Sequence, residues 1–172
     1  MKLAEDYKVV LVTSNLDYNT GAIATTKGIN MKNYHRCTYL IDIGTLGVAD
    51  VTIKAYSGIA DMSLTSALAF KYAYGGSTAL WAAAGTTPAA GADVLAAEVV
   101  TVAATGLVVT QVTYANYLLI IEIDASIMDL AAATPEPWLS LSITCGAATG
   151  LASVFAILEP RYSGNLSVTA LA

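Results

Sequence analysis

Apolar and polar side chains alternate with period two along most of this chain. Cys37, Tyr39, Ile41 and Ile43 fall on one side of an extended segment, with Thr38 and Asp42 on the other. Val51, Ile53 and Ala55 alternate with Asp50, Thr52 and Lys54, and Leu68, Phe70, Tyr72 and Tyr74 with Ala67, Ala69, Lys71 and Ala73. Leu139, Leu141, Ile143 and Cys145 alternate in the same way with Trp138, Ser140, Ser142 and Thr144. Successive side chains leave a β-strand on opposite faces, so this period marks half-buried strands. Lys8 to Thr13, Ala79 to Ala82, Ala97 to Ala104, Leu107 to Tyr114, Leu118 to Asp124 and Ala152 to Leu158 read as further strands. Turn residues separate them at Asn19-Thr20-Gly21, Gly44 to Gly47, Gly75-Gly76, Gly85 to Gly91, Thr105-Gly106, Thr134 to Pro137 and Gly146 to Gly150. About eight to ten short strands with turns this frequent predict an all-β antiparallel sandwich or barrel, not a βαβ fold.

Helix is confined to short turns in loops. Ile59 to Leu64 is one candidate, and Ala125 to Leu130 is another with Asp124 as its N-cap. The alanine runs Ala82 to Ala84 and Ala131 to Ala133 favour helix by propensity, but neighbouring Gly and Pro keep such helices short.

Composition sharpens this picture. The 172 residues make one domain: residues 1–30 form an N-terminal arm or first strand that helps assembly, and 31–172 a single β-sandwich. Charged residues are only 12% and hydrophobic residues 56%, which excludes disorder. A net charge of -5 opposes a nucleic-acid partner, since a phosphate backbone would be repelled. Several strands, such as Ala97 to Ala104 and Leu107 to Tyr114, carry small or apolar residues on both faces. The solvated face of a lone sandwich would show charge, so these outer faces are expected to meet other protein, including copies of the same chain. Val99 to Ile121 is uncharged and long enough to span a bilayer, yet its threonines, Gly106 and Asn116 read as two strands with turns. No membrane partner is expected. Met1 to Asp6 does not read as a signal peptide, because two carboxylates stand where an apolar core should begin. Without an oxidising compartment, Cys37 and Cys145 are expected to be free, buried thiols.

Candidate chemistry is sparse. His35 and Cys37 would share a strand face as a Cys/His pair, but no orienting third group accompanies them. The plainer reading is a loop-edge histidine before a core cysteine. Glu122 and Asp124 also share a face, with Asp129 following, and could serve acid/base work or a hard cation; a solvated strand end and a helix cap explain them more simply. Asn15, Asp17 and Asn19 before Gly21 mimic the opening of a calcium loop, but the glycine is one position late and Thr26 replaces the bidentate glutamate. Asn165-Leu166-Ser167 is a sequon without a secretory signal. Trp81, Trp138 and the ten tyrosines suit either core packing or a sugar-stacking surface. No catalytic, cofactor-binding or metal-binding residue is assigned, no cofactor is expected, and the chain is not read as an enzyme.

Four stretches, in order, resemble the small virion structural proteins of tailed bacteriophages, of the head-decoration or minor capsid type. They are Gly28 to Tyr34 leading into Cys37 to Ile43, Ala67 to Tyr72, Ile121 to Ala125 followed by Met128 to Leu130, and Val154 to Tyr162. The resemblance spans residues 28–162, with segments 82–92 and 131–133 departing from the pattern. It implies a jelly-roll-like sandwich with short helical turns in its loops. It also implies a non-enzymatic homo-oligomer, a dimer or trimer, made in the host bacterial cytoplasm. That oligomer would bind the major capsid protein or other head proteins on the capsid exterior as a cement. The alternative from another class is a carbohydrate-binding β-sandwich module on a fibre or cell surface.

Overall fold

The computed structural model describes residues 3–17, 23–44, 46, 49–75, 95–115, 117–128, 133–145, 151–162 and 169–171. In chain order the strands are β1 (Lys8–Asp17), β2 (Ile23–Thr25), β3 (Ile29–Asn30), β4 (Tyr34–Ile43), β5 (Val51–Gly58) and β6 (Ser66–Leu68). They continue with β7 (Lys71–Gly75), β8 (Val99–Val100), β9 (Leu107–Val109), β10 (Leu118–Asp124), β11 (Trp138–Cys145) and β12 (Leu151–Pro160). The first sheet has the order β1-β12-β4-β10-β7-β8. The second follows β2-β11-β5-β6, with β3 also laid against β11 and β9 against β5. All these pairings are antiparallel. The chain crosses repeatedly between the two layers, and its first strand lies beside its last, so the sandwich is jelly-roll-like. Among the described residues, helical turns occur at Leu3–Asp6 and Gln111–Tyr114, with 3-10 turns at Met31–Asn33 and Ala125–Ile127.

The inward rows fill the space between the sheets. Cys37, Tyr39 and Ile41 of β4, Leu119, Ile121 and Ile123 of β10, and Val154, Ala156 and Leu158 of β12 are buried on the first sheet. Ile53 and Ala55 of β5 and Leu139, Leu141 and Ile143 of β11 meet them from the second. Burying each large side chain contributes roughly 1.5–3 kcal/mol. The Tyr39 hydroxyl reaches across the layers to donate to the Leu139 carbonyl at 3.5 Å. A void of about 10 Å³ lined by Ile41, Ile43, Val51, Ile53 and Ile143 is at the lower limit for one water, so side chains fill this part of the interior.

The structure departs from the period-two reading in informative places. The alternation from Ala67 to Tyr74 is two strands, not one: β6 belongs to the second sheet and β7 to the first. The chain changes sheet at Ala69-Phe70, where Thr101 donates its N–H to the Phe70 carbonyl at 2.9 Å and accepts from the Phe70 N–H at 3.1 Å. Leu107 to Tyr114 is a strand only as far as Val109, because its partner β5 begins at Val51 and offers no further ladder. Beyond it the chain turns helically, with the Gln111 N–H donating to Asp50 at 2.9 Å. Within Ala97 to Ala104 only Val99–Val100 is strand. Ile59 to Leu64 holds a tight turn rather than a helical one: the Ser63 N–H donates to the Ala60 carbonyl at 3.1 Å, with Met62 in the left-handed region at φ 59°. The turn after Asp124 covers Ala125–Ile127, and the Asp124 side chain makes no cap bond. Ala79 to Ala82 lies outside the described residues.

Candidate functional site

On the outer surface of the first sheet the alternation that buries one row must present the other. The presented row of β1 is Val9 and Leu11, that of β12 is Ser153, Phe155, Ile157 and Glu159, and that of β4 is Arg36, Thr38, Leu40 and Asp42. On β10 it is Leu118, Ile120, Glu122 and Asp124. Register aligns these rows across the strands: Leu11 lies opposite Phe155, Phe155 opposite Leu40, Leu40 opposite Ile120, and Ile120 opposite Ala73 of β7. Beside this run lie Val9, Ile157, Thr38 and Glu122. The result is an apolar stripe across five strands. Val9 and Leu11 are each 50% exposed and Phe155 41%.

Charge bounds the stripe on one side. Arg36 stands 3.8 Å from Asp124, both about half exposed. Lys71, opposite Glu122 on the sheet, lies 3.3 Å from Glu98. An open depression of about 170 Å³ lies among Tyr7, Arg36, Thr38, Glu122, Ile157 and Glu159. Glu122 and Asp124 thus share a face, as their spacing requires, and both line a shallow depression of about 250 Å³ with Arg36, Phe70, Lys71 and Val100. A second group of exposed side chains, Val99, Val100 and Val102, marks the far edge of the same sheet at β8.

The other sequence candidates are scattered. Arg36 pairs with Glu159 and Tyr34 with Pro160, so His35 is an extra residue in a bulge. The bulge breaks the alternation: His35 is exposed while Cys37 is fully buried, and the two do not share a face. Burial pushes the Cys37 thiol well above its ordinary value, against the opposing hydrogen bond with Tyr39. Such a thiol is a core hydrophobe and not a nucleophile. Cys37 is free; the Cys145 side chain is outside the described residues. Asn15 and Asp17 belong to β1, whereas Asn19 and Gly21 lie outside the described residues. Thr26 is buried, and its hydroxyl accepts from the Leu141 N–H at 2.9 Å. Among the described residues no group of three His, Cys, Asp or Glu could hold a metal. Trp138 is half-buried at the start of β11; Trp81, Asp129 and the sequon are outside the described residues. Phe70, Tyr72, Tyr74 and Tyr117 form an edge-to-face chain with ring centroids 6.5, 5.9 and 6.3 Å apart, a packing role for aromatics. No helix of the described residues is long and apolar enough to cross a membrane.

The site is therefore an open, apolar, charge-edged sheet face, a surface chemically suited to contact with protein. No protein-family model, no curated protein and no solved structure matches the chain.

Proposed function

We propose that this chain is a non-enzymatic structural protein of a tailed-bacteriophage virion, a head-decoration or minor capsid component that works as a homo-oligomer on the capsid exterior. The observation that carries the proposal is the outward apolar stripe of Val9, Leu11, Leu40, Ile120, Phe155 and Ile157, in which Val9, Leu11 and Phe155 are exposed and the other three partly buried. Large apolar side chains on a solvated sheet face are costly unless something covers them. A shell component meets that condition, because neighbouring copies or the lattice remove the stripe from water at roughly 25 cal/mol per Å². Binding only the assembled lattice would stabilise that lattice by mass action. Several copies per oligomer would let weak single contacts hold. The scarcity of charge, 12% of residues, fits a protein whose surface is largely shared with others.

The test is the composition of purified particles of the phage that encodes the chain. Quantitative mass spectrometry should find it in many copies per particle, and imaging should place it outside the shell. Particles that lack the chain would overturn the proposal.

A further inference from the structure

The edges of the two sheets are unequal. β8, β2, β6, β3 and β9, which close or flank three of the sheet edges, are each two or three residues long. Short edge strands offer little backbone for a stranger to pair with, and natural proteins blunt their sheets in this way. β1 is different. It is ten residues long, ends the order of the first sheet and, among the described residues, pairs only with β12. From Val9 to Leu16 it contains no charged residue and no proline. Its ladder is unbroken from Lys8 to Leu11 and bulges beyond. Val9 and Leu11 on its outer side are half exposed, while Val10 and Val12 are buried inward.

We infer that the free edge of β1 pairs antiparallel with β1 of a second copy, about a two-fold axis near Val10. Such an axis sets Val9 of each copy opposite Leu11 of the other, apolar against apolar on the same face. Pairs of this kind are the unit of sheet stabilisation. The two apolar stripes then join end to end into one band.

Charge selects this geometry over stacking two copies face to face. The presented rows of β4, β7, β10 and β12 hold four carboxylates, Asp42, Glu122, Asp124 and Glu159, against two cations, Arg36 and Lys71. Stacking would press these net-acidic groups together, on a chain already at -5. Edge pairing places the β4 strands of the two copies five strand spacings apart, roughly 24 Å at about 4.8 Å each. The β12 strands, which carry Glu159, come closer, at three spacings or roughly 14 Å; both separations exceed the Debye length of about 8 Å at physiological salt, so repulsion between the acidic rows is screened. From Val9 to Leu16 the edge itself carries no charge to oppose the approach.

The inference rests on reading the chain as an oligomer, and particle composition plays no part in its test. Light scattering on the full chain from about 1 to about 100 µM, the range in which modest interfaces assemble, should show the mass double. Val9→Lys and Leu11→Lys should each raise the dissociation constant at least tenfold and return the mass to that of a monomer. Val108→Lys, on the exposed side of β9, should leave the dimer intact. Hydrogen exchange on the unsubstituted protein should show amides of residues 8–12 gaining protection as concentration rises, and this readout decides the matter if the lysine variants fail to fold. A monomer throughout the range, a dimer that survives both lysines, or a dimer without β1 protection would overturn the inference. A β1 dimer absent from purified particles would reject the virion proposal alone.

Discussion

Asp61 ties two distant segments together through one carboxylate. It accepts from Lys27 Nζ at 2.7 Å and from the Gly28 N–H at 2.6 Å. A Cβ at position 28 would lie 2.8 Å from Asp61 Oδ1, so the close approach needs glycine there. Partial burial pushes the carboxyl upward, but the hydrogen bonds and the ammonium charge of Lys27 together outweigh it and hold Asp61 below its ordinary 3.8. The unfolded chain therefore binds the proton more readily than the native one. The stabilisation is complete above the ordinary value and is lost as pH falls through the lower native value. Asp61→Asn should cost about 1–3 kcal/mol at neutral pH. Urea unfolding of the two proteins at about pH 7 and about pH 2 checks the sign: the difference should shrink as Asp61 protonates. A gap unchanged by acid would mean that the carboxylate's charge is irrelevant.

At the scale of elements, the corner between β6 and β7 depends on a single hydroxyl. Phe70 is buried there, and Thr101 satisfies both its backbone groups. Thr101→Val keeps the shape and deletes the acceptor, leaving a buried N–H unpaired at a cost of about 1–3 kcal/mol. The denaturant midpoint should fall accordingly, with no change in the spectroscopic signature of the sheets. The same corner shows what the sequence could and could not disclose. Long strands with a buried row, such as 37–43, 118–124 and 139–145, were legible because period two records the exposed and buried faces. The period does not record which sheet a residue joins, so Leu68 and Tyr72 looked like one strand although their sheets differ. Val108 and Thr113 have equal claims to strand by propensity, but only the first has a partner opposite it on β5. β2 and β3 are too short to show any period. The outward stripe is half legible: the shortage of charge is plain in the sequence, but the runs that are apolar on both faces lie at 97–114, away from it. Leu40, Ile120, Phe155 and Ile157 carry no such signal, because their strands bury apolar rows as well and leave little polar contrast to mark the outward side.

For the whole molecule, the outer stripe predicts a separation of stability from assembly. Leu40→Glu places a charge in the middle of the stripe, beside Phe155 and Ile120. Because Leu40 is only partly exposed, the substitution should lower folding stability by about 1–2 kcal/mol. Its occupancy on purified particles should drop at least tenfold, equivalent to about 1.4 kcal/mol of binding. A variant that folds and still decorates particles at the normal density would show that the stripe is not the contact surface.

The adjacency of the first and last strands also has a temporal side. Lys8 finds its ladder partner at Leu158, so β1 leaves the ribosome long before β12 exists. At about 5–20 residues per second, that delay is roughly 8–30 s. Throughout it, an uncharged, valine-rich segment waits without its intended mate. Native pairing at such sequence separation is intrinsically slow, so the sheet closes only after β12 has been made. The neighbouring nascent chains of a polysome carry the same waiting segment, and crowded synthesis would favour encounters between them before either chain has finished its own sheet.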